Sequence, residues 1–134
     1  MAEPGSRPGA APLSSYTTLR LGGPARRVVH ATSEEQLIAS VRSADEAGVP
    51  LLLLAGGSNL VIADDGFAGT VVSIETRGVD VDEDACSGAM VTVAAGETWD
   101  DFVASAVSRG WVGVEALSGI PGSVGATPIQ NDGA

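Results

Sequence analysis

The sequence LLLLAGGSNLV, residues 51–61, places a glycine pair one residue after four leucines. A short, continuous apolar run between turn-forming segments is typical of a buried strand. Gly56-Gly57-Ser58-Asn59 then leaves the backbone almost bare at the end of that strand. Glycine allows positive φ and close approach of the backbone, and successive amides can bind an anion. From spacing alone, the stretch either turns the chain or binds a phosphate.

Strand and helix patterns alternate around the leucine run. Residues 25–32 are rich in β-branched residues and predict a strand. Ser33 followed by Gln36 is a capping box, and the helix that it begins should end at Gly48. Residues 60–74 predict a strand, a turn at Asp-Asp-Gly and a second strand. This β-α-β order followed by more β structure defines a first lobe.

A second lobe follows. Residues 78–96 predict two strands joined by an acidic loop. Thr98 and Asp101 form a second predicted capping box, for a helix that ends at Gly110. Residues 113–133 are rich in glycine and show no long periodic run.

The chain of 134 residues is long enough for one domain or two small lobes that share a core. Residues 1–15 are rich in Pro, Gly, Ala and Ser, and we expect a flexible tail there. We assign the first lobe to residues 16–76 and the second to residues 77–134. Neither a signal peptide nor a run of about 18 apolar residues is evident, so we expect a cytoplasmic protein and no membrane partner.

Charge and residue usage exclude several function classes. A net charge of −10 argues against nucleic acid as a partner, because such proteins need a basic surface. All seven basic residues are arginine, so a P-loop lysine and a Schiff-base lysine are both excluded. His30 and Cys86 are the only residues of their types, and the acidic run at 80–84 lacks the glycine and glutamate of a calcium loop. We therefore predict no metal site.

A second glycine-rich stretch, Gly119-Ile-Pro-Gly122-Ser-Val-Gly125, favours the phosphate interpretation. Two such loops could bind one diphosphate ligand from both sides, although neither fits GxGxxG or Walker A. Together with residues 16–25, 51–64 and 93–103, the sequence LSGIPGSVGATPIQN (117–131) resembles the UDP-N-acetylenolpyruvoylglucosamine reductase family. Asp132 departs from the apolar residue that this family has there.

The resemblance implies an α+β fold: a two-lobed FAD-binding domain of the vanillyl-alcohol-oxidase/p-cresol-methylhydroxylase type, with the cofactor between the lobes. The implied activity is reduction of a UDP-sugar enolpyruvyl group by NADPH through FAD. The family's serine, arginine and glutamate catalytic residues are expected after residue 134, so no catalytic residue is assigned here. An alternative is a non-catalytic flavin- or nucleotide-binding module; no oligomeric state is predicted. The implied FAD-binding residues are Gly56, Gly57, Ser58, Asn59, Leu60, Ile120, Pro121, Gly122, Ser123, Val124 and Ala126.

Overall fold

A computed structural model describes residues 12–84 and 88–129. Cys86 and Asp132 lie outside the described residues. The contacts divide the chain into two compact units, with the division between Glu75 and Thr76. No helix in the described ranges combines the length and the apolar character needed to cross a membrane.

The first unit is built on a three-stranded parallel sheet. Its strands, β1 (Ala25–Ala31), β2 (Leu51–Leu54) and β3 (Phe67–Ile74), lie in the order β1-β3-β2. Helix α1 (Glu34–Glu46) connects β1 to β2, and a 3-10 helix (Leu13–Tyr16) precedes β1. Because the strands are parallel, their carboxyl ends share one edge of the sheet.

The start of α1 confirms the predicted helix cap. The Gln36 amide donates to the Ser33 hydroxyl at 3.3 Å, and φ is +60° at Gly48, just beyond the helix. A capping box predicts that the Gln36 side chain accepts from the Ser33 amide. Its Oε1 instead accepts from the amide one residue earlier, that of Thr32, at 3.0 Å. Both ends of the helix therefore follow from local sequence.

The central strand β3 forms the core of this unit. Val71 and Val72 are fully buried, on opposite faces of the sheet. The prediction of a buried leucine strand is only partly right, because Leu54 is buried but Leu53 is 49% exposed. The reason is position: β2 pairs only with β3 and so forms an edge of the sheet.

The strand predicted within residues 60–74 before the turn is wrong. Residues 55–66 form an irregular connection, and only β3 is a strand. Because β2 and β3 pair in parallel, the chain must return to the opposite edge of the sheet between them. Leu60 and Ile62, whose apolar character suggested a strand, instead pack against the core around Leu13.

The second unit contains an antiparallel hairpin, β4 (Val79–Asp84) and β5 (Gly88–Val93), and then helix α2 (Trp99–Ser108). The hairpin is confirmed, although residues 85–87 of the acidic loop lie outside the described residues. The capping box predicted at Thr98 is wrong, because its side chain makes no cap hydrogen bond. Thr98 instead pairs through its backbone with Ser123. Two 3-10 turns, Glu115–Leu117 and Thr127–Ile129, complete this unit.

Candidate functional site

We call residues 55–60 the glycine loop; they begin where β2 ends, at the carboxyl edge of the parallel sheet. Gly56, Ser58 and Asn59 are exposed, while Gly57 is buried. Within the described ranges, the amides of residues 56–59 donate no hydrogen bond. Such amides at a strand end suit an anionic ligand, which would accept the hydrogen bonds that the protein leaves unmade.

Gly57 fixes the glycine loop against the segment before β1. Its φ is +67°, and a Cβ there would overlap the Tyr16 carbonyl oxygen and lie 3.0 Å from the Tyr16 carbonyl carbon. The Thr18 amide also donates to the Gly57 carbonyl at 3.1 Å. The fold itself therefore requires glycine at position 57, because the Tyr16 backbone leaves no room for a Cβ.

A pocket of about 370 Å³ lies beside the glycine loop. We call it the Arg20 pocket; it is lined by Ser15, Tyr16, Thr17, Thr18, Arg20 and Gly56. Of the described residues in the lining, only Arg20 is charged, in a chain with 17 acidic residues. Hydroxyl groups, one cation and a bare glycine suit a phosphate-bearing ligand. The site assignment from sequence did not include residues 15–20, because the sequence leaves Arg20 open between a contact to ligand phosphates and a surface charge.

His30 is held in a polar network at the same edge of the sheet. Its Nδ1 lies 2.6 Å from Glu75 Oε1, and its Nε2 lies 3.3 Å from the Tyr16 hydroxyl. Ser73 also donates to Glu75 Oε1, at 2.9 Å. Both ring nitrogens of His30 therefore have partners within the first unit. No cluster of three metal-ligating side chains occurs among the described residues.

In the second unit, residues 118–126 form the second glycine stretch. Three backbone hydrogen bonds attach it to the first residue of α2 and to the connection between β5 and α2. The Trp99 amide donates to the Gly122 carbonyl at 3.0 Å. The amides of Val124 and Gly125 donate to the carbonyls of Glu97 and Ala95, both at 2.9 Å. A Cβ on Gly125 would lie 2.6 Å from Ala95 Cβ, so only glycine fits there.

Asp100 holds the first turn of this stretch. Its Oδ1 accepts from the Gly119 amide and from the Ser118 hydroxyl, both at 2.8 Å. The Gly119 hydrogen bond, and then that of Ser118, lower the pKa of the Asp100 carboxyl. No local pattern in the sequence links Asp100 to Gly119, 19 positions later.

The predicted binding residues of the second stretch differ in what they can offer. The amides of Val124 and Ala126 already donate within the protein, so these residues can offer a ligand only apolar contact or carbonyl groups. The Gly122 amide donates to no group in the described part of the chain. Ser123 is buried, and its hydroxyl has no partner among the described residues. Ile120 is half-buried and Pro121 is exposed.

The fold and the glycine loop define a class of cofactor-binding proteins, and the chain belongs to the FAD binding domain family, whose model matches residues 25–134. The chain is similar to UDP-N-acetylenolpyruvoylglucosamine reductase from Cutibacterium acnes, with 55% identity over 123 residues. It is also similar to the enzyme of the same name from Salinispora arenicola, with 58% identity over 122 residues. These matches cover 92% and 91% of this chain but only 33% and 34% of the relatives, so the chain spans about a third of their length.

A solved structure gives the same result. The crystal structure of UDP-N-acetylenolpyruvylglucosamine reductase from Thermus caldophilus matches with a TM-score of 0.66 and 29% identity, over 91% of this chain and 41% of that one. The resemblance to the reductase family and the α+β FAD-binding fold class are therefore confirmed. FAD is the cofactor of this domain. The individual FAD-binding residues stay predictions.

Proposed function

We propose that this chain is the FAD-binding part of a reductase that converts UDP-N-acetylglucosamine enolpyruvate to UDP-N-acetylmuramate for peptidoglycan synthesis. NADPH is the proposed hydride donor, and the cytoplasm, where NADPH and UDP-sugars are found, is the proposed location. The observation that carries the proposal is the row of unpaired amides at residues 56–59, beside a pocket with one cation. The identity of 55% to a protein named for this reaction supports it.

In this proposal, the two lobes at residues 16–76 and 77–134 bind different parts of FAD. The amides of Gly56 to Asn59 donate to the diphosphate, and Leu60 keeps the loop on the core of its unit. Ile120, Pro121, Val124 and Ala126 provide apolar contact, and the Gly122 amide provides a further donor. Ser123 stabilises the stretch from the interior of the protein, since its side chain is buried. When bound, FAD supplies hydride transfer between NADPH and the enolpyruvyl group.

No residue of the 134 is proposed as a catalytic acid or base. The contribution of this chain is to bind and orient the cofactor, and orientation of reactants can account for about 7–11 kcal/mol of a barrier. Because the chain spans about a third of the reductases it matches, we expect it to form no UDP-N-acetylmuramate alone.

The binding proposal is tested by titrating FAD into the chain and following flavin fluorescence. Gly56→Leu places a bulky side chain in the Arg20 pocket, at a residue that is exposed and lacks positive φ. We expect it to abolish FAD binding while circular dichroism stays unchanged. Ala39→Leu, at an exposed position of α1, is the matched control and should bind FAD normally. Normal FAD binding by folded Gly56→Leu would show that the glycine loop is not part of the FAD site.

The expectation about activity needs a separate assay. The chain is incubated with FAD, NADPH and UDP-N-acetylglucosamine enolpyruvate, and UDP-N-acetylmuramate is measured. No product above a control without protein is the expected result. Product formed in proportion to chain concentration would show that catalytic residues lie within the 134.

A further inference from the structure

The turn that precedes β1 is held in a strained backbone conformation. Arg20 has φ +58°, in the left-handed region that residues with a Cβ rarely adopt. The strain is maintained by Thr17, which is buried and whose hydroxyl donates to the Leu21 carbonyl at 2.8 Å and accepts from its amide at 3.2 Å. The Arg20 amide also donates to the Thr17 carbonyl, at 3.1 Å. Strain that the surrounding structure enforces in this way is concentrated at functional sites.

The same turn is fixed to the glycine loop. The Thr18 amide donates to the Gly57 carbonyl, and the backbone of Tyr16 packs against Gly57 so closely that no Cβ fits. The strained turn and the glycine loop therefore form the two sides of one pocket within the first unit. Any ligand bound by the amide of Gly56 meets the turn as well.

Two polar side chains of the turn are left unpaired by the described part of the protein. Within the described residues, the Arg20 guanidinium makes no ion pair or hydrogen bond, and neither does the Thr18 hydroxyl. No carboxylate is among the described residues that line the pocket, although the chain has a net charge of −10. An arginine beside unpaired hydroxyl and amide donors is the arrangement that recognises phosphate oxygens.

From this we propose that Arg20, with the Thr18 hydroxyl, binds the diphosphate of the dinucleotide from the side opposite the glycine loop. This inference rests on the proposed FAD binding and extends it to a residue outside the glycine motifs. The left-handed backbone at Arg20 is then the cost of placing its guanidinium over the pocket. Arg20 is assigned a binding role and no catalytic one.

The test compares FAD affinity of the unmodified chain with three variants, by fluorescence titration at low and high salt. Arg20→Gln should weaken FAD binding about tenfold or more, because one charge-assisted contact is lost, and the loss should shrink at high salt. Arg20→Gly should weaken binding equally while the melting temperature stays the same or rises, since glycine tolerates this φ. Arg42→Gln removes the same charge from an exposed position of α1 and should leave affinity unchanged.

Each outcome decides one of the two proposals. If the unmodified chain binds FAD and Arg20→Gln binds it equally well, the role of Arg20 is wrong and the proposed function stands. If Arg20→Gly unfolds the protein, the claim that the backbone at Arg20 is strained is wrong, and the affinity of Arg20→Gln alone decides the binding role. If the unmodified chain binds no FAD, the proposed function fails and the role of Arg20 fails with it.

Discussion

Gly57→Ala tests whether the glycine loop is fixed by its contact with the Tyr16 backbone. A left-handed φ costs a residue with a Cβ about 1–2 kcal/mol. The added methyl would also overlap the Tyr16 carbonyl oxygen, and forced packing of this kind costs about 1–3 kcal/mol. We therefore expect the free energy of unfolding to fall by roughly 2–5 kcal/mol, a large part of the about 5–15 kcal/mol typical of a domain.

The matched control is Gly48→Ala. Gly48 has a similar φ of +60°, but a Cβ there would meet no atom within 4 Å. Only the conformational cost of about 1–2 kcal/mol should then appear. Both variants are measured by urea denaturation followed by circular dichroism, with linear extrapolation to water. Equal losses in the two variants would refute the steric argument for Gly57.

Two further predictions concern the second glycine stretch. Ser123→Ala should leave stability unchanged or raise it by about 1–2 kcal/mol in the same assay, because a buried hydroxyl without a partner is removed; a clear loss would show that the hydroxyl has a partner. The amide resonance of Gly119 should titrate with Asp100 at a pKa below the usual 3.8, because that amide donates to the carboxylate. The Asp100 contribution to stability is thus present above about pH 4 and is lost as the pH falls through this lowered pKa, and Asp100→Asn should abolish the titration. A titration at or above the usual value would contradict the hydrogen bond.

Local patterns in the sequence were enough to predict the elements whose ends depend on residues close in sequence. The cap at Ser33, the stop at Gly48 and the β4–β5 hairpin depend on contacts close in sequence, and all three are present. The strand predicted at the start of residues 60–74 failed because apolar residues there pack on Leu13 from an irregular connection. Its apolar residues indicate burial, and residues of a strand or of a packed loop can both be buried.

The candidate site shows the same limit. The glycines of both stretches were visible in the sequence, since no other residue combines their small size with their range of φ. The partners of those glycines were not visible. Tyr16 meets Gly57 across 41 positions, and Asp100 meets Gly119 across 19, and only the folded chain brings each pair together. The strain at Arg20 likewise has no signal in a sequence that lacks glycine at that position.

The most direct test of the account is an amide map of FAD binding. Two-dimensional ¹H–¹⁵N NMR spectra of the 134-residue chain are recorded while FAD is added. We predict large shifts for the amides of Gly56, Gly57, Ser58 and Asn59, and small shifts for the β4–β5 hairpin. FAD that binds the chain without moving the four glycine-loop amides would contradict the central claim that this loop holds the diphosphate.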